Sequence, residues 1–221
     1  MSMIMKKIRN TILLALGILT LSACDAHKDV EDTSMKLGDI LCVDGNVMPY
    51  SQYVQQDKQA VAVVFHLNEG DLPGTGYAVY LWDVADKAFA DTVGTKQGTS
   101  ADATAYDGNG NTYSLLSNRD ISSPIAESVY AVWSQGQSAY IPSVAEMRLL
   151  HQARSYINPI IEKCGGEPLP SAEVDCWYWT STEVEGQETH KAWLYSLESG
   201  AILETPKDQS HKVRPIITLY K

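Results

Sequence analysis

The chain has 221 residues, 44% hydrophobic and 20% charged, which excludes a disordered chain, a collagen-like repeat and a small disulfide-stapled toxin and leaves material for one large or two small domains. Seventeen Lys and Arg stand against 27 Asp and Glu. Such an acidic surface repels phosphate backbones, so nucleic acid is not an expected partner.

Residues 1–23 have the three parts of an export signal. Lys6, Lys7 and Arg9 form a positive start, Ile12–Leu19 an apolar stretch, and Leu21-Ser22-Ala23 leads into Cys24. The apolar run is far shorter than the roughly 18–20 residues that span a bilayer as a helix, so it reads as a processing segment. Its removal takes away three bases and no acid, leaving 14 bases against 27 acids, a net −13. Leu21-Ser22-Ala23-Cys24 closely resembles the bacterial lipobox. That resemblance implies a diacylglyceryl group on the Cys24 thiol, cleavage before it and acylation of the new N-terminus. One acyl chain binds membranes marginally whereas two or more anchor stably, so the expected partner is a membrane held through lipidated Cys24.

Residues 24–35 are polar, acidic and without apolar periodicity, a flexible tether. Asp25 directly after the Cys favours inner-membrane retention under enterobacterial sorting rules. In other Gram-negative groups acidic residues there resemble a surface-export signal. The expected location is the outer membrane, lipid-anchored and facing outward at the cell surface.

Strand signals open the globular part. Asp39–Val43 precedes the turn pair Asp44-Gly45, Ala60–Leu67 is a β-branched run typical of a buried strand, and Gly76–Trp82 is a third strand. Gly94–Asn111 reads as a long Gly/Thr/Ser/Asp-rich loop. Ser123-Pro124 starts a helix with Ile125, Val129, Val132 and Trp133 on one face and Gly136 closing it. Ser143-Val144-Ala145-Glu146 fits a capping box for a second helix, restarted at Asn158-Pro159 and stopped by Cys164-Gly165-Gly166. Trp177–Thr182, His190–Leu197, Ala201–Thr205 and Lys212–Tyr220 read as strands, with Pro215 placing the last at an edge or bulge. The fold class is α+β, mixed and antiparallel strands with two main helices, in one domain over 36–221.

Three cysteines remain besides Cys24. Cys164 and Cys176 flank the loop 165–175 and are a disulfide candidate in an oxidising compartment, contributing about 3 kcal/mol in the chain-entropy model. Cys42 sits in an apolar run and reads as a buried free thiol. No Cys-x-x-Cys or His-x-x-x-His spacing occurs, so neither a metal nor another cofactor is expected.

Several segments fall in one order: Gly38-Asp39, Asp107-Gly108-Asn109-Gly110-Asn111-Thr112, the Ala126–Trp133 helix, Tyr140-Ile141-Pro142-Ser143 with Glu146, Tyr178–Glu183, Ala192-Trp193, Gly200 and Val213-Arg214-Pro215. Their succession resembles the Lcl-type C-terminal domain, a C-type-lectin-like module common on bacterial surface proteins. The resemblance implies a C-type-lectin-like fold. The calcium-dependent sugar motifs Glu-Pro-Asn and Trp-Asn-Asp are absent; Glu167-Pro168-Leu169 is the nearest, and Leu169 offers no oxygen to calcium.

The hydroxyl-rich Tyr178–Glu183 strand lacks a well-placed base and reads as structural. Arg214 is expected to pair with a carboxylate such as Glu183 or Glu146. Asp107–Asn111 lacks the EF-hand Gly and Glu and reads as a helix-capping turn. The histidines are scattered, and His190 with His211 would make only two metal ligands. The candidate ligand-binding surface is the final region: Trp177 and Tyr195 as stacking faces, with Glu185, Gln187, His190, Asp208 and His211 from the polar loops. Trp179 and Trp193 are expected in the core. The function these features predict is a non-catalytic surface module for a glycan or protein ligand. The alternatives are an accessory subunit of a surface fibre or envelope assembly, and an enzyme of the formylglycine-generating type. The last needs a reactive cysteine pair near the chain's end, and no cysteine follows Cys176.

Overall fold

A computed structural model describes residues 33–134 and 137–220. The chain divides into two units, 1–34 and 35–221; the fold below is that of the second. The expected export signal (1–23), Cys24 and residues 25–32 of the tether lie outside the described residues.

Five strands form the first sheet: β1 (Ile40–Cys42), β2 (Val47–Met48), β3 (Ala60–Leu67), β4 (Gly76–Tyr80) and, from the far end of the chain, β12 (Ile216–Leu219). Their spatial order is β12-β4-β3-β1-β2, antiparallel throughout. The sheet is apolar on both faces, which is why Ala60–Leu67 reads as a continuous β-branched run. Ile40, Val63, Phe65, Tyr77, Val79 and Ile216 enter one core, while Leu41, Ala62, Val64, Ala78 and Ile217 enter the other.

Among the described residues there are four helices, α1 (Tyr50–Tyr53), α2 (Gly108–Ser117), α3 (Pro124–Tyr130) and α4 (Val144–Lys163). The capping box at Ser143 is formed: its hydroxyl accepts from Glu146 N, and Glu146 reaches back to Ser143 N at 2.7 Å. Val144, Met147, Leu150, Ile157 and Ile161 of α4 pack into the first core. The helix runs through Pro159 without restarting, where the ring forfeits only one intrahelical bond. Helix α2 starts inside the stretch read as loop, at the Asp107–Asn111 segment read as a helix-capping turn. It begins at Gly108 because nothing larger fits: a Cβ there would fall onto Glu146 Oε2 and within 2.8 Å of Ser143 N. Asp107 holds the N-cap position, without a side-chain cap bond.

The second sheet is mixed, in the order β10-β9-β8-β11-β5. It contains β5 (Val84–Ala88), β8 (Trp177–Glu183), β9 (Lys191–Ser196), β10 (Ile202–Pro206) and β11 (Ser210–Val213). Strands β8 and β11 are its parallel pair. The expected strand 212–220 is broken at Arg214-Pro215, because proline cannot extend the ladder. Its halves join different sheets, β11 the second and β12 the edge of the first. Among the described residues, β6 (Trp133–Ser134) and β7 (Gln137–Ser138) also pair, antiparallel. The architecture is therefore α+β, with one antiparallel and one mixed five-stranded sheet. No helix among the described residues is long and apolar enough to cross a membrane.

Candidate functional site: an acidic groove beside Trp193

The segment 94–107 has little regular structure of its own and is fixed by bonds to distant groups. Lys207 is fully buried and pairs with buried Glu183 at 2.8 Å; its Nζ also donates to Thr95 O and Glu188 O. Glu183 Oε1 accepts from Gln97 N at 3.1 Å. Ser100 N donates to Asn111 Oδ1, and Ser143 Oγ and Arg148 Nη1 donate to Ala105 O and Ala103 O. A buried ion pair of this kind fixes geometry more than it adds stability, since desolvation offsets most of the attraction.

This clamping sets residues 101–104 against the turn after β8 and against Trp193 of β9 and Glu204 of β10. A groove of about 630 Å³ runs between them, with Asp102, Glu185, Glu188 and Glu204 around Trp193. Three of the four carboxylates have donors that hold them below their ordinary values. Asp102 accepts from the Thr104 hydroxyl and N–H at 2.6 and 2.8 Å. Glu204 accepts from Lys191 at 3.0 Å and Gln187 at 2.9 Å. Glu188 is lowered by backbone N–H groups, its own first, and by Lys96 at 3.3 Å. These three carboxylates therefore keep their charge to lower pH than ordinary ones. The groove offers part of an indole ring and negative charge, a combination suited to cationic surfaces.

The seven residues expected to bind ligand do not form one site. Glu185 lines the groove and Gln187 braces Glu204 at its rim. His190 is exposed but its ring meets Thr189 Oγ1 at 2.6 Å, and it is not among the described lining residues. Asp208 is exposed in the turn between β10 and β11. Strand alternation separates the two aromatics: Tyr195 pairs with Tyr178 and is 2% exposed in the first core, whereas Trp177 pairs with Ser196 and packs partly against the second. Tyr195 thus presents no stacking face. His211 is half-buried, edge-on to Trp179 at 5.3 Å, and burial lowers its pKa. Trp179 is fully buried as expected, and Trp193 is partly buried, packed against the first core while one part of it lines the groove. Alternation with Ala192 and Leu194 of the second core sets Trp193 on the same face as Tyr195, toward the first core.

Two further expectations are corrected. Arg214 pairs with Asp83, not with Glu183 or Glu146; Asp83 also receives the Tyr178 hydroxyl and Lys212. Cys164 and Cys176 are both free thiols, so the ring between them is not closed. Cys176 donates to Glu173 O and accepts from Ser196 Oγ, while Cys164 caps α4 and packs on the core that holds Cys42.

No family model and no curated protein matches the chain. Its fold is similar to that of a fimbrial protein from Bacteroides ovatus ATCC 8483, known from a crystal structure at 1.85 Å resolution. The TM-score is 0.63 at 14% sequence identity, over 82% of this chain and 48% of that one. The chain thus spans about half the length of this neighbour, and at this identity the likeness is one of fold.

Proposed function

We propose that the chain is a lipid-anchored, non-catalytic component of a surface fibre or envelope assembly, held on the outer membrane through Cys24. The observation that carries this reading is the fold it shares with a fimbrial protein over most of its length. The lipobox-like Leu21-Ser22-Ala23-Cys24 and the acidic tether support the placement. In this reading the groove around Trp193 is the contact for a neighbouring subunit, and its carboxylates favour a basic segment of that neighbour. The finer fold reading, a C-type-lectin-like module, is supported by the return of β12 to the first sheet beside β4.

Fractionation of cells carrying the parent chain or Cys24→Ala tests the anchor. The parent is expected in the outer-membrane fraction and degraded when intact cells meet protease, with the variant released into soluble fractions. Equal retention of both would contradict the reading.

A further inference from the structure

Helix α2 turns one face to a separate cavity. Asn109, Thr112, Tyr113 and Leu116 stand at i, i+3, i+4 and i+7 and line a space of about 280 Å³. Tyr130, the last residue of α3, and Tyr220, just beyond β12, line it too, with Ala139 and Tyr140. Tyr113, Tyr130 and Tyr220 are 72%, 53% and 58% exposed. Three of the five exposed tyrosines among the described residues thus gather at one opening.

The inner lining is already committed. Tyr140, 2% exposed, meets Thr218 Oγ1 at 2.9 Å and donates to Glu146 Oε1 at 3.4 Å. Thr112 Oγ1 donates to Gly108 O and accepts from Ile141 N. Neither can turn to a ligand without leaving a buried group unpaired. The hydroxyls of Tyr113, Tyr130 and Tyr220 and the Asn109 amide are different: among the described residues they have no protein partner. No Asp, Glu, Lys, Arg or His is among the described lining residues, so an ionic ligand would lose its hydration with no counter-charge in return. What remains is a set of flat aromatic faces edged by neutral donors and acceptors on a fixed floor. That chemistry matches a sugar ring, whose C–H face packs on aromatic carbon while its hydroxyls bond the polar tips.

We propose that this tyrosine-ringed cavity binds one residue of a neutral carbohydrate. Binding here does not depend on the surface-assembly reading, and its residues are separate from those of the acidic groove.

Saturation-transfer NMR on the full-length chain in mild detergent, with the methyl glycosides of glucose, galactose, mannose and N-acetylglucosamine at millimolar concentration, tests it. At least one glycoside is expected to receive saturation, and titration of that glycoside to show about tenfold weaker binding in Tyr113→Ala and in Tyr130→Ala. Both side chains are exposed, so the variants keep the fold. Tyr156→Ala, an exposed tyrosine elsewhere on the surface, is the matched control and is expected to bind as the parent does. Failure of every glycoside to bind overturns the proposal. So does binding that survives both cavity substitutions, or capture of a proline-rich peptide with none of the sugars.

Discussion

Glu146 is a buried carboxyl whose titration ties stability to pH. Burial, with the Asp107 carboxylate adding, pushes its carboxyl up to about 7 from an ordinary 4.5. Between those values the unfolded chain has released a proton that the folded chain still holds, so stability is full below about pH 4.5 and falls as pH rises through 7. The loss is on the order of 3 kcal/mol. Glu146→Gln keeps the shape without the charge, so its urea midpoint is expected to differ less between pH 5 and pH 8 than the parent's. Cys164, pushed up to about 11 by burial and then by Cys42, is expected to alkylate slowly in the native chain at pH 8 and quickly in urea. A mass shift showing a bond to Cys176 before denaturation would contradict the free-thiol arrangement. Individual residues were only partly legible in the sequence. Trp179 was marked for the core by its place in an aromatic strand. The partners of Arg214 and Glu183 were not, because Asp83 and Lys207 come from distant segments and only the folded chain sets them at ion-pair distance.

Several elements were read well where burial imposed a period, although helix α3 ends at Tyr130 and Trp133, expected on its apolar face, lies in strand β6. Ala60–Leu67 is strand β3 with the bounds its β-branched run suggests, and the Ser143 capping box starts α4 as its residue spacing requires. Ser143→Ala removes a fully buried cap and is expected to lower stability by about 1–2 kcal/mol in urea unfolding. The start of helix α2 was read as a helix-capping turn, but its body was not legible, because Gly-Asn-Gly-Asn has neither helix propensity nor an apolar period. It is held from outside, by Asn111 against Asp107, Ser100 and Ser181. Segment 94–107 likewise depends on the Glu183–Lys207 pair. Glu183→Ala strands a buried ammonium and is expected to cost about 3–5 kcal/mol, loosening this segment first as seen by hydrogen exchange. An unchanged exchange pattern there would show that the clamp does not hold the loop.

The α+β class of the fold could be read from element order, and the acidic balance from composition. How strands divide between two sheets could not, since that is decided by the break at Arg214-Pro215, which sends β11 and β12 to different partners. Nor could either cavity be found by position along the chain. Residues 102, 185, 193 and 204 meet in one groove, and 113, 130, 140 and 220 in the other, only through long-range packing. The acidic surface makes association with a basic partner sensitive to salt. Cross-linking on intact cells, followed by mass spectrometry of the products, bears most directly on membership of a surface assembly. The chain is expected to shift from its monomer position to larger species containing a fibre or envelope subunit, with linked peptides from 101–104 or 184–204. A chain that stays monomeric while other envelope proteins cross-link around it would contradict that role.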